Sequence, residues 1–290
     1  MNKPEVVDNT MITTFLECPR RYALFMSGVE ESEVPTYFDT GRAWHKALAW
    51  LYTTGKDSPI EDKEAKGLEI FLSLGNKEGR DIDHPLHNVE VWKLYLANYP
   101  TVPWSVLKAE VGFVLPLAGT SIMVGGALDG YLVWGSKRYV LENKTTGSPL
   151  GQSWLSRWNR DRQVTTYTWA LRSLTGGGEG VLVNGISLAK SATIRFVQDL
   201  QIRDKSQVQE WEDETRYVFG QMERACQQGE WPKLGRWCWG GNGISPCPYR
   251  WLCREPLGLG ETLKRLPRNL YNLRTGPWEP WKREGSECAT

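Results

Sequence analysis

Apolar residues recur at helical spacing over residues 11–26, and Asn9 or Thr10 stands ready to cap that segment. Cys18 and Pro19 interrupt it, which places the cysteine at a kink or a helix end. A second helix is predicted over 38–53, carrying Trp44, His45, Leu48 and Leu51. Residues 55–85 are rich in charge and glycine and read as loop with one short helix near 62–73; a further helix covers 86–98.

The period then changes. Residues 106–115, 121–134 and 137–144 alternate and are β-branched, with turn signals at Gly119 and at Gly135-Ser136, which predicts an antiparallel meander. A helix follows over 158–174 and stops at Gly176-Gly177-Gly178. Strands are predicted near 180–188 and 192–200, then a long helix over 205–228. The remainder has little periodicity and is rich in Trp, Pro, Gly and Cys. The order predicts an α/β core, a small mixed sheet with helices on both faces. Its expected division is an N-terminal helical region over 1–100, a core over 101–228, and a C-terminal Cys-rich segment over 229–290 that joins the N-terminal region in an accessory lobe.

Chemistry enters at the meander. Glu142 and Lys144 are two apart on one predicted strand and so share a face, while Asn143 points the other way. A hairpin through Gly135-Ser136 brings Asp129 alongside. Two carboxylates suit a hard divalent cation such as Mg²⁺ or Mn²⁺. Such a cation polarises a phosphoryl oxygen and lowers the pKa of a bound water. A lysine can orient the water or stabilise the added charge of the transition state. The carbonyl of Asn143 offers a further oxygen ligand. Taken alone, Glu-x-Lys on a strand is common and reads more readily as a solvated ion pair on a surface hairpin.

His45 is a candidate further ligand, or a half-buried histidine packed beside Trp44; His84 and His87 read as structural. Gln163 and Tyr167 lie four apart and share a helix face. Arg157, Arg160 and Arg162 crowd the same region, opposed only by Asp161, and can lie along a phosphate backbone.

These pieces, in this order, resemble the RecB-like branch of the PD-(D/E)XK nuclease superfamily. The matching stretches are Cys18-Pro19-Arg20-Arg21-Tyr22, Gly41-Arg42 with His45, Gly126 to Asp129, Glu142-Asn143-Lys144-Thr145-Thr146-Gly147, and Gln163 with Tyr167. The resemblance implies a restriction-endonuclease-like core and a metal held by His45, Asp129 and Glu142. It implies Lys144 as catalytic lysine, with Gln163 and Tyr167 supporting the site and touching DNA, alongside Arg42. Glu110 is a weaker candidate for an assisting carboxylate. Many members carry Asp-Tyr-Lys where this chain has Glu-Asn-Lys.

Cys238, Cys247 and Cys253 lie close together and Cys18 far upstream. One distant cysteine plus three C-terminal ones is similar to the iron–sulfur branch, AddB-like and CRISPR-associated RecB-like exonucleases, which implies one [4Fe-4S] cluster. Eight residues separate Cys238 from Cys247 where members often have two. A structural zinc site fits the same four ligands. Cys226 sits in a predicted helix and reads as packed, and Cys288 as free.

Composition narrows the rest. Hydrophobic residues make up 40% and charged residues 24%, ordinary globular values. The net charge is +1, so any basic surface is local. No apolar run is long enough to cross a membrane, and the N-terminus lacks a signal-peptide core, so a cytoplasmic location is the default. Most of the 15 tryptophans are expected in the core, with a few free to stack on bases. The expected function is a metal-dependent DNA nuclease, an exonuclease on single strands or duplex ends. The alternative is a non-catalytic DNA-binding or assembly subunit of a helicase–nuclease or integration complex. The chain has no Gly-x-x-x-x-Gly-Lys-Ser/Thr loop, so a helicase or recombination partner would be another chain.

Overall fold

A computed structural model describes residues 3–33, 36–75, 81–235, 238–241 and 245–282. The elements in chain order are β1 (Val6–Val7), α1 (Asn9–Glu17), α2 (Pro19–Met26), β2 (Val29–Glu31), α3 (Thr36–Tyr52), α4 (Ile60–Leu72) and α5 (Pro85–Asn98). Next come β3 (Ser105–Pro116), β4 (Met123–Trp134), β5 (Lys137–Thr146), α6 (Gln152–Ser156), α7 (Arg162–Thr175), β6 (Gly180–Ser187) and β7 (Phe196–Ile202). The last are α8 (Lys205–Gln228), α9 (Leu259–Lys264) and β8 (Tyr271–Leu273).

The chain forms two compact units, each drawn from separated stretches. One comprises Met1–Val34, Val114–Gly126 and Glu212–Pro280; the other comprises Pro35–Phe113, Ala127–Trp211 and Trp281–Thr290.

The second unit holds most of a mixed sheet flanked by helices, the α/β architecture expected. β4 and β5 form an antiparallel hairpin whose register pairs Gly130 with Leu141 and Trp134 with Lys137. The Gly135 backbone sits at φ 61°, a turn conformation that costs glycine little. β5 runs parallel to β6 over eight residue pairs, from Tyr139↔Gly180 to Thr146↔Ser187. Parallel neighbours need a crossover, which α6 and α7 provide. β6 is buried at every position, which suits its near-continuous Gly-Val-Leu-Val-Asn-Gly-Ile-Ser run. β7 closes this edge antiparallel to β6, and β3 pairs with β4.

Trp44, Phe71, Trp92 and Tyr95 from α3, α4 and α5 pack on Leu132, Tyr139, Leu141, Leu182 and Ile186 of the strands. Burying aromatics of this size is worth about 2–3 kcal/mol each. The Trp44 indole donates to Asn88 Oδ1 at 2.7 Å, which fixes the turn of α3 that carries His45.

In the first unit, β1 runs parallel to the start of β4, and β2 pairs antiparallel with β8. Leu24, Val29, Tyr249, Leu252, Leu266 and Tyr271 form a small core. The expected helix over 11–26 is two helices. Cys18 is extended (φ −168°, ψ 115°) and Pro19 opens α2, a position where its missing N–H costs nothing. The cap of α1 is Asp8 rather than Asn9 or Thr10: its Oδ1 accepts from Met11 N at 2.7 Å. Asp8 Oδ2 also accepts from Trp278 Nε1 at 2.6 Å, a partner no local pattern reveals.

Candidate active site

The site is built on β3, β4, β5, α3 and α7 of the second unit. Carrying the hairpin register one step past Gly130↔Leu141 sets Asp129 against Glu142. Both are buried, at 4% exposure each. Asp129 Oδ2 accepts the backbone N–H of Asn143 at 2.8 Å. The Asn143 side chain points away from Glu142 and Lys144, with its Oδ1 accepting from Asn184 Nδ2 at 2.8 Å. That leaves the Asn143 backbone, not its amide, on the side of Asp129. Behind Asn184 lie the hydroxyls of Tyr95 and Tyr52, a polar chain under the strand that pattern reading did not find.

α3 crosses the end of β5; a Cβ built on Gly41 would sit 3.7 Å from Thr145 Oγ1. This approach brings His45 Nδ1 within 2.9 Å of Asp129 Oδ1. Burial opposes charge on the imidazole, but Asp129 and Glu142 outweigh it and hold its pKa above the usual histidine value.

Glu110 completes the group. One ligand atom each of His45, Glu110 and Asp129 lie within 4.8 Å of one another. Among the described residues, Glu110 is the one non-glycine residue with positive φ, at 52°. An L-residue in the left-handed region costs roughly 1–3 kcal/mol and such strain clusters at functional sites. The strained residue is the one on β3 whose carboxylate lies with His45 and Asp129. Beside it Gly130 admits the β3 backbone; a Cβ there would lie 2.8 Å from Lys108 O.

Lys144 Nζ lies 2.5 Å from Glu142 Oε1 and donates to Gln163 Oε1 at 2.9 Å. Gln163 Nε2 donates to Tyr167 Oη at 2.8 Å, and the Tyr167 ring meets Phe113 edge-on. Asp161 positions this face of α7 by capping it, accepting from Val164 N at 3.1 Å. Burial disfavours the Lys144 ammonium, but Glu142, Asp129 and Asp161 more than compensate and raise its pKa. Burial, with the negative charge of Asp129, pushes Glu142 up to about 7 despite Lys144.

These residues fit a divalent cation. Glu142 Oε2 is buried with no hydrogen-bond partner, a state that costs about 1–3 kcal/mol unless a cation or donor meets it. The carboxylates of Glu110 and Asp129, with Glu142 beside them, are hard anionic donors, and the His45 imidazole is a borderline one.

The other candidate residues are more scattered. Arg42 is exposed and pairs with Asp39 at 2.9 Å. Arg157 is exposed with its guanidinium over the Trp158 ring, and Arg160 is exposed. Arg162 is half-buried, with its guanidinium over the Trp211 ring. His84 caps α5, and His87 Nε2 donates to Leu188 O at 2.8 Å.

In the first unit, Cys18, Cys238, Cys247 and Cys253 all line one cavity of about 470 Å³, with Arg21, Lys233 and Arg250 in its wall. Gly235 lies against it: a Cβ there would come within 3.0 Å of Cys238 Sγ and 3.6 Å of Cys18 Sγ. Burial pushes the Cys247 and Cys253 thiols up, while Arg21, Lys233 and Arg20 pull them back. Cys226 lies on α8 and is not in that wall; Cys288 is outside the described residues.

A sequence profile described as "PD-(D/E)XK nuclease superfamily" matches residues 9–254. No curated protein matches the chain. Among solved structures, the chain is similar to one from Eubacterium rectale described as a "Putative exonuclease", with a TM-score of 0.50, 16% identity, and 80% and 85% of the two chains covered. It also matches the protein SSO0001 at a TM-score of 0.31 and 14% identity, over 75% and 78% of the chains. The first likeness supports the fold; the profile spans His45, Glu110, Asp129, Glu142, Lys144, Gln163 and Tyr167 in one match. The chain belongs to the PD-(D/E)XK nuclease superfamily, a family of metal-dependent nucleases.

Proposed function

We propose that this protein is a divalent-metal-dependent deoxyribonuclease that acts as an exonuclease in DNA recombination, repair or processing. The observation that carries the reading is the convergence of His45, Glu110 and Asp129 beside the unpartnered Glu142 Oε2 and the ammonium of Lys144. In this reading His45, Glu110, Asp129 and Glu142 hold Mg²⁺ or Mn²⁺, with the Asn143 carbonyl as a further oxygen donor. The bound cation polarises the scissile phosphoryl oxygen and lowers the pKa of a water.

The chain's own groups do the rest. Lys144 keeps its proton because Glu142 and Gln163 both accept from it, so it offers a charged donor where negative charge develops. Gln163 and Tyr167 hold that ammonium in place from one face of α7. The exposed guanidiniums of Arg42, Arg157 and Arg160 contact the phosphate backbone, with Arg162 behind them.

The reading extends to an iron–sulfur member of the family. Among the described residues the tightest trio of ligands is His45, Glu110 and Asp129, and no three of the four cysteine sulfurs lie within 4.8 Å of one another. Tetrahedral zinc with bonds of about 2.3 Å would draw its sulfurs to roughly 3.8 Å. The spread of the sulfurs and the 470 Å³ cavity leave more room than one zinc ion needs and support a [4Fe-4S] cluster, while the basic residues in the wall suit either dianionic tetrathiolate site. Protein purified untagged and without oxygen should be brown and contain iron and sulfide; a colourless protein with stoichiometric zinc would exclude the cluster.

The test of the nuclease reading is incubation with labelled single- and double-stranded DNA and RNA in Mn²⁺, Mg²⁺ or EDTA. Metal-dependent degradation of DNA from an end, lost in Asp129→Ala and Lys144→Ala, is the expected result. Binding without cleavage under every metal condition would favour an assembly subunit that works beside a helicase or recombination factor.

A further inference from the structure

Two tryptophans of the first unit stand in water. Trp239 is 60% and Trp251 45% exposed, and their rings meet edge-to-face at 5.2 Å and 85°. A contiguous exposed aromatic pair, unlike a single exposed side chain, marks an interaction site, and the core tryptophans Trp44 and Trp92 are buried by contrast. The Trp251 ring holds two guanidiniums, Arg250 at 5.4 Å and Arg254 at 5.3 Å from its centroid. Among the described residues neither arginine lies within salt-bridge distance of a carboxylate; Arg250 Nη1 donates only to Cys247 O. Two like charges are thus gathered on one ring, and no carboxylate among the described residues is paired with either.

A groove of about 600 Å³ opens beside the same ring. Trp251, Arg254, Leu257, Thr262 and Arg265 line it, with Glu255 as its acidic member. Arg265 is paired with Glu261 at 2.9 Å and lies 3.9 Å from Glu255, so the positive charge on offer comes from Arg254, with Arg250 on the same ring. The partner that satisfies both features carries flat, unpaired aromatic groups and regularly spaced anions.

We propose that Trp239, Trp251, Arg250 and Arg254 form a platform for single-stranded nucleic acid, with a base stacked on the open face of Trp239 and adjacent phosphates held by the two arginines. This deepens the nuclease reading and rests on it for the identity of the strand as DNA. Stacking on an aromatic ring is tolerant of base identity, and a duplex hides the faces it needs. The sulfur-lined cavity shares Arg250 with the platform, so the cysteine site props up the segment that presents it.

The test uses the full-length protein in EDTA with fluorescein-labelled oligothymidylate, and a blunt hairpin duplex as comparison. Trp239→Ala should weaken strand binding roughly five- to a hundredfold, as loss of one stacked base does, and Trp239→Phe should restore most of it. Arg254→Ala should lower the slope of affinity against salt by about 0.7, one phosphate contact on a single strand. Melting temperatures identify a variant that fails to fold; if Trp239→Ala does, the salt slope of Arg254→Ala decides. Wild-type affinity and salt slope in the folded variants would overturn the platform, as would an equal loss on the blunt duplex. Strand binding that depends on Trp239 in a protein that never cleaves would sink the nuclease reading and leave the platform standing.

Discussion

Glu142 is the residue on which the site's chemistry turns. Its carboxylate is buried beside Asp129, and burial with that neighbouring charge raises its pKa to about 7. His45 is raised as well, by Asp129 and Glu142 acting against burial. Both shifts have the same consequence for the metal-free protein. A carboxyl whose folded pKa exceeds its unfolded value destabilises the fold as pH rises through that interval, here from about 4.5 to 7. A histidine whose pKa is raised adds stability below its unfolded value, which is lost as pH rises through the folded one. A cation competes with those same protons, so metal binding strengthens as pH rises. The gain in melting temperature from saturating Mn²⁺ should be larger at pH 8 than at pH 6; a gain independent of pH would contradict the assignment. Glu110→Gln should weaken Mn²⁺ binding about tenfold or more by titration calorimetry, comparable to losses seen even for outer partners of metal ligands. Unchanged affinity would remove Glu110 from the ligand set.

At the scale of elements, two contacts hold the geometry. Gly130 lets β3 lie against β4, so Gly130→Ala forces its Cβ toward Lys108 O. The expected cost is about 1–3 kcal/mol in thermal or urea unfolding, with weaker metal binding because Glu110 and Asp129 sit on those two strands. Asp161→Ala removes the cap of α7, worth about 1 kcal/mol, and should lower kcat more than metal affinity, since Gln163 and not a ligand carries the damage. Wild-type stability in either variant would show that the contact is incidental. These elements also show what sequence pattern can reach. The 205–228 helix and the β4–β5 hairpin were legible because periodicity and the Gly135-Ser136 turn are local signals. The strand expected at 192–200 lies at Phe196–Ile202, because Leu188 to Arg195 form the connection. β1, β8 and α9 went unseen: β1 and β8 have two and three residues and exist through partners far away in sequence. Glu110 could be suspected as a charge on a strand, but its left-handed backbone is set by tertiary packing and has no sequence signature.

At the scale of the whole molecule, the four cysteines bring chain positions more than 200 residues apart to one cavity within one unit. Their gathering at one cavity was legible only through the family resemblance, because eight residues between Cys238 and Cys247 match no familiar spacing. Closing a loop of that length is worth on the order of 5 kcal/mol in the chain-entropy picture. On the proposed iron–sulfur reading, Cys18→Ser should lose visible absorption and melt at a markedly lower temperature; an equally coloured, equally stable variant would contradict the staple. No described helix is long and apolar enough to cross a membrane.

The most direct measurement pairs metal binding with cleavage in one substitution. Lys144→Ala removes the ammonium but none of the proposed ligands. Titration with Mn²⁺ should show binding retained, while cleavage of labelled DNA falls by about 10²-fold or more against a metal-dependent wild type. Wild-type cleavage by Lys144→Ala, or cleavage by the native protein in EDTA, would contradict the account.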